Sequence, residues 1–214
     1  MTGQAPPQAA QEEQVSAELP YWANQDGLQP DPERPGYTLA GDQYKGNPQA
    51  KVVVVEFSDF QCPACQQHAL EIQPEIDEAL VDDGKIMWVF KHLPLQEHPQ
   101  ALVAAAAAEC AAEQGEFWKM YHRLFEKVDV WAVENPEPAL VSLAADIGLD
   151  AAAFSSCLDS CEPMERVIQD LYDSQGITRL TPTFIVLFEG KGRLMQGSMN
   201  AEQFIKILDA LLQQ

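Results

Sequence analysis

Val52, Val53, Val54 and Val55, followed by Phe57, form a short continuous apolar run, the pattern of a strand buried on both faces of a sheet. Ser58 to Gln61 read as a loop. Beyond it, Ala69, Ile72, Ile76 and Leu80 recur at helical spacing until Gly84. Pro63 suits the first turn of that helix, whereas Pro74 lies inside it and predicts a kink. Ile86 to Phe90 form a second apolar strand, so residues 51–91 predict a parallel strand pair joined by a right-handed crossover helix. Helical patterns then follow one another over Ala101 to Ala112, Glu116 to Lys127, Glu137 to Ile147, Ala151 to Asp159 and Pro163 to Ser174. Strand character returns at Thr183 to Phe188. The turn Glu189-Gly190-Lys191-Gly192 folds Arg193 to Gln196 back as a hairpin, and Phe204, Ile205, Leu208, Leu211 and Leu212 give a last helix, from about Ala201, its apolar face. The sum is an α/β fold of the order βαβ, helical insertion, ββα.

Residues 1–35 carry no such periodicity and are rich in Pro, Gln and Glu, so they read as an N-terminal arm, flexible or docked on the surface through Tyr21 and Trp22. The rest divides into an α/β unit, residues 36–95 and 179–214, and an inserted helical domain, residues 96–178. Composition adds boundaries. Of 214 residues, 46% are hydrophobic and 21% charged, as in globular domains, and no run approaches the roughly 18 apolar residues of a membrane-spanning helix. Thirteen Lys and Arg against 33 Asp and Glu leave a net charge of -20, which repels phosphate backbones and excludes nucleic acid as a partner. No charged segment followed by an apolar one precedes the arm. The chain is therefore cytoplasmic, or an export signal or anchor lies outside the sequence.

The chemistry concentrates at Cys62-Pro63-Ala64-Cys65, where a strand leads into a helix N-terminus. Unpaired N–H groups and the helix dipole there stabilise a thiolate, which makes Cys62 the candidate nucleophile. Cys65, about one turn further in, fits a resolving thiol. Zinc needs two more ligands, and Cys157 and Cys161 have the wrong spacing for them. Copper(I) accepts two thiolates, with Met195 and Met199 as conceivable additions, and a purely structural disulfide is a third reading.

EFSDFQCPAC at Glu56 to Cys65, FKHLPL at Phe90 to Leu95, AAECAAEQGEFW at Ala107 to Trp118 and TPTFIV at Thr181 to Val186 together resemble the DsbA-like branch of the thioredoxin superfamily over residues 36–214. The resemblance implies a thiol-disulfide oxidoreductase with a thioredoxin fold interrupted by helices. It works through a redox-active Cys62–Cys65 disulfide, without a further cofactor or metal. It implies that Pro182 is cis and packs beside the cysteines, and that Pro63, Ala64 and the backbone of Thr181 meet the substrate chain. Glu56 becomes a proton relay for the buried cysteine. Lys91, at the end of the next strand, reads as its natural counter-charge or as a solvent-facing lysine. A disulfide between Cys110 and Cys157 is implied too, with Cys161 left over; read on the residues alone, three free buried thiols remain open. Partners are proteins with cysteine thiols, and a membrane quinone-linked protein that reoxidises the pair. The location is extracytoplasmic, through a leader or membrane anchor upstream.

None of His68, His92, His98 and His122 belongs to a motif, and each reads as a surface or satisfied polar residue, with His68 near enough to Cys65 to modulate it. Ala64 stands where the family's strongest oxidants carry His, and Glu56 and Asp59 disfavour an anion nearby. The expected reduction potential therefore falls between the limits of about -120 and about -270 mV spanned by strong oxidants and thioredoxin.

Overall fold

A computed structural model describes the backbone of residues 13–15 and all of residues 19–214. Six strands form one sheet in the order β1-β6-β5-β3-β4-β2. They are β1 (Glu13–Val15), β2 (Gln43–Gly46), β3 (Val52–Ser58), β4 (Ile86–His92), β5 (Thr183–Phe188) and β6 (Lys191–Gln196). β3 lies inside the sheet, parallel to β4 and antiparallel to β5. Every residue of β3 and β4 is buried, as their unbroken apolar runs require.

Helix α1 covers residues 63–81 and joins the parallel pair. It is α-helical at Pro63–Gln67 and Gln73–Ile76 and widens into π-helical turns at His68–Ile72 and Asp77–Val81. Pro74 explains the first widening, because it offers no N–H to the carbonyl four residues back and its ring crowds that carbonyl. The helices between β4 and β5 are α2 (Ala101–Ala112), α3 (Phe117–Glu126), α4 (Val128–Trp131), α5 (Glu137–Asp146), α6 (Ala151–Leu158) and α7 (Glu162–Asp173). Small side chains let α2 sit at the centre of this group, against α3, α5, α6 and α7. α8 (Ala201–Leu212) closes the chain.

Strand alternation sorts the sheet into two faces. Val52, Val54, Trp88, Phe184 and Val186 pack with the second half of α1 and with Phe204 and Leu208 of α8. Val53, Val55, Phe57, Met87 and Val89 face the other way, onto Trp22, Ala23 and Leu28. The arm is thus docked where it is described: Trp22 is buried and meets Phe57 edge-on at 5.4 Å, while Tyr21 is exposed. Residues 1–12 and 16–18 of the arm lie outside the described residues.

Several elements differ from the sequence pattern. β1 and β2 have no β-branched run to announce them, and both pair at the sheet margins, β1 on β6 and β2 on β4. Ser58 ends β3 instead of starting a loop. The hairpin turn is only Glu189-Gly190, both with positive φ (49° and 72°), so β6 begins at Lys191.

Candidate active site

Cys62 immediately precedes α1. Its backbone is extended (φ -71°, ψ 121°), and its carbonyl accepts the Gln66 N–H at 2.9 Å. Pro63 follows with a preset φ and no N–H to leave unpaired, so the helix starts directly after the cysteine. The N–H groups of Ala64 and Cys65 consequently face the Cys62 sulfur, the position of a helix-capping anion. Cys65, one turn on, is fully buried, and both cysteines are free thiols.

The Thr181–Pro182 peptide is cis, and the Thr181 carbonyl oxygen lies 3.5 Å from Cys62 Sγ. The Thr181 hydroxyl is enclosed and faces the same sulfur. Together these groups divide the two thiols. The hydrogen bond from Cys65 is the largest cause of a Cys62 pKa lowered to about 5; burial opposes it, and Thr181 and the two N–H groups add to it. Burial, then the neighbouring Cys62 sulfur, pushes the Cys65 thiol well above its usual range.

Glu56 is fully buried. Trp88 Nε1 donates to its Oε2 at 3.0 Å, and burial raises its pKa to about 7 against the pull of Trp88 and Ser58. Ser58, two residues along the same face of β3, stands beside both Glu56 and the Cys65 sulfur. The His68 ring stacks on Trp88 (centroids 5.9 Å apart, planes at 16°), and its Nε2 pairs with Gln73 Oε1 at 2.9 Å. Burial lowers its pKa to about 4, so it is neutral at physiological pH.

Lys91 is not the partner of Glu56. In the β3–β4 register Glu56 is opposite Phe90 and Phe57 opposite Lys91, which sends Lys91 to the other face of the sheet. There Nζ meets Asp42 at 2.6 Å, Asp170 at 2.9 Å and Asp173 at 2.7 Å. These three carboxylates are the one acidic group among the described residues close enough to share a cation, and the ammonium sits among them. Asp59 is also spoken for: it accepts the N–H groups of Gln61 and Leu95 and pairs with His98 Nδ1 at 2.7 Å. The expected opposition of nearby acids to the Cys62 thiolate does not materialise, since no carboxylate is among the main influences on that sulfur.

Cys62, Cys65, Thr181 and Glu56 thus come together. Pro182 is buried next to Thr181, Pro63 is exposed, and Ala64 is half-buried against the helical cluster. Cys110 and Cys157 form a disulfide that joins α2 to α6, and Cys161 is a free, exposed thiol. Met195 and Met199 pack into the cluster under α8. Pattern reading did not single out Ser58, Trp88 or the Thr181 hydroxyl. Period-two alternation from Val52 and Val54 through Glu56 would have placed Ser58.

A sheet of this topology, with a dithiol at a helix N-terminus facing a cis-proline loop, is the arrangement of a DsbA-like protein of the thioredoxin superfamily. The family model described as Thioredoxin matches residues 38–210, and the chain belongs to that family. Among solved structures it is similar to Wolbachia pipientis α-DsbA1, at 25% identity and a TM-score of 0.70, covering 88% of this chain and 95% of that one. A thioredoxin-like oxidoreductase from Silicibacter pomeroyi matches at 26% identity and a TM-score of 0.66, covering 88% and 97%. BdbD from Bacillus subtilis, 23% identical with a TM-score of 0.66 and 84% and 97% covered, shares the fold. Curated relatives carry another name. The Na(+)/H(+) antiporter NhaA 3 of Salinispora tropica is 38% identical over 164 residues, and NhaA of Herminiimonas arsenicoxydans 34% over 170, covering 75% and 79% of this chain. The aligned region is only 23% and 25% of those relatives' length. Among the described residues no helix is long and apolar enough to cross a membrane.

Proposed function

We propose that the protein oxidises cysteine pairs in extracytoplasmic proteins by exchange through Cys62-Pro63-Ala64-Cys65. The observation that carries this reading is the placement of two free thiols, Cys62 at the helix N-terminus beside the Thr181 carbonyl and Cys65 fully buried one turn further in, an arrangement that lowers the Cys62 pKa and raises that of Cys65. A stabilised Cys62 thiolate favours the reduced protein, and that preference makes the disulfide an oxidant. A substrate thiolate attacks Cys62 Sγ of the disulfide, and Cys65 leaves with the bonding electrons and takes up a proton by way of Glu56. A second substrate thiolate then attacks the substrate sulfur of the mixed disulfide. Cys62 departs as a low-pKa leaving group, so the substrate gains the disulfide that the protein loses.

Exposed Pro63, half-buried Ala64 and the Thr181 backbone border Cys62, and an extended substrate segment can align there by main-chain hydrogen bonds. Oxidised substrates and a second disulfide, Cys110–Cys157, suit an oxidising compartment, reached through a leader or anchor upstream. In the same reading a quinone-linked membrane protein restores the Cys62–Cys65 disulfide.

The test is transfer. Oxidised protein mixed with a reduced, unfolded protein carrying one cysteine pair should lose one disulfide for each one the substrate gains. Substrate that stays reduced while insulin is reduced rapidly would move the assignment to a reductase. Tight anaerobic copper(I) binding without any exchange would move it to metal handling.

A further inference from the structure

Tyr121 is a fully buried phenol supplied by α3, from the helical insertion, yet its surroundings belong partly to the sheet. Its ring meets Phe90 at 5.4 Å, Phe125 at 5.0 Å, Trp118 at 5.4 Å and Phe60 at 6.0 Å. Phe90 is the cross-strand neighbour of Glu56 on the same face of the sheet. The phenol lies edge-on to Phe90, and Glu56 and the Cys65 sulfur are the nearest charged groups acting on it. Trp88 occupies Oε2 of Glu56. Oε1 of Glu56, the Ser58 hydroxyl and the Tyr121 hydroxyl are all enclosed, and none of them has a hydrogen-bond partner at rest. Three enclosed polar atoms gathered at one buried thiol need an account, because each unpaired group costs about 1–3 kcal/mol.

We infer that Tyr121 is a positioning residue for proton transfer at Cys65: as the Glu56 carboxylate forms, the phenol closes on Oε1, donates to it and holds that oxygen as an acceptor toward Ser58 and Cys65. Burial, and then the nearby Glu56 carboxylate and Cys65 sulfur, raise the Tyr121 pKa, so the phenol keeps its proton and remains a donor. The inference rests on the exchange chemistry above and concerns closure of the mixed disulfide by Cys65. In that step the Cys65 S–H proton passes to Glu56, directly or across the Ser58 hydroxyl. The sulfur attacks Cys62 Sγ, and the partner's sulfur leaves with the bonding electrons as a thiolate. Other charged or titrating groups face this pocket from every side. They are the Lys45–Asp77 pair from β2 and α1, neutral His68 from α1, Cys62 at its mouth, half-buried His122 from α3, and the His92–Glu109 pair from β4 and α2. Tyr121→Phe leaves all of them in place and removes only the donor.

The experiment follows the reduced full-length protein with 5,5′-dithiobis(2-nitrobenzoate), in a Cys161→Ser background because Cys161 is an exposed thiol. The first thionitrobenzoate released reports attack by Cys62, and the second reports closure by Cys65. Tyr121→Phe should leave the first release unchanged. It should move the midpoint of the second release's pH profile up by about one unit, and slow that release about fivefold on the acid side of the midpoint. Glu56→Gln should erase that ionisation from the profile, and adding Tyr121→Phe to it should change nothing further. A Tyr121→Phe profile identical to wild type, with or without a lower urea midpoint, overturns the inference, as does an equal effect in the Glu56→Gln background. Wild-type protein that releases only one equivalent would instead refute the exchange reading itself.

Discussion

Glu56 and Lys91 project from adjacent parallel strands but to opposite faces of the sheet, because Lys91 is opposite Phe57 and Glu56 is opposite Phe90. Glu56 and Lys91 therefore belong to two separate buried charge systems. One is an acid beside the reactive thiols, without a buried cation of its own; the other is a lysine among three aspartates that ties β4 to α7 and to the segment before β2.

Lys91→Met should accordingly act on stability and not on exchange. Burial disfavours the Lys91 charge, but the three aspartates outweigh it and raise the Lys91 pKa, so its contribution is fully present at neutral pH and is lost only at pH above the ordinary lysine range. Removing it strands three carboxylates, and urea unfolding at pH 7 should show a loss of about 3–5 kcal/mol. A loss in thiol exchange rate at matched folded fraction would contradict the separation of the two systems.

Glu56→Gln should do the reverse. Burial raises the folded-state pKa of Glu56 to about 7, so its contribution is greatest below its unfolded value and declines as pH rises toward 7. At pH 8 the reduced variant should be more stable than wild type by on the order of 3 kcal/mol, and near pH 4 the two should coincide. Closure by Cys65 should slow in the same variant. Equal stability at both pH values would mean that Glu56 is not held protonated by burial.

Much of this arrangement is readable in the chain before any coordinates. The valine run of β3, the helical spacing through Leu80 and the Cys-x-x-Cys between them locate the dithiol at a helix N-terminus, because burial on two faces fixes the strand and Pro63 suits the first helical position. Proximity to strand ends suggests a pairing of Glu56 with Lys91, but register decides which face a side chain takes and separates them. Tyr121 is silent for another reason. In an amphipathic helix a buried aromatic reads as core, and only the tertiary contact of α3 with β4 reveals the acid beside its hydroxyl. β2 has too little apolar character to register, since its order comes from pairing with β4.

Thr181→Val tests the loop opposite the dithiol. It keeps the carbonyl that faces Cys62 and removes the hydroxyl that lowers the thiolate's pKa. The Cys62 pKa, followed by thiolate absorbance, should rise by about one unit, and the reduction potential should become more negative by about 30 mV, since a less stable thiolate means a less favoured reduced form. An unchanged pKa would remove Thr181 from the set of groups that stabilise the thiolate.

Replacing Cys110 and Cys157 together with Ala should destabilise the protein by about 4 kcal/mol, the loop entropy of a cross-link spanning 47 residues, and leave the Cys62 pKa where it was. Urea unfolding and the same absorbance titration check both halves. A shifted Cys62 pKa would mean that the cross-link also shapes the active site.

The reduction potential of the Cys62–Cys65 pair tests the central claim most directly. The thiolate near pKa 5 stabilises the reduced protein, an effect fully expressed above the unfolded thiol's pKa of about 9 and lost as pH falls through 5. Equilibration with glutathione buffers at pH 7 should place the pair between about -120 and about -270 mV. A potential at or below the negative limit would contradict the assignment of this protein as an oxidant.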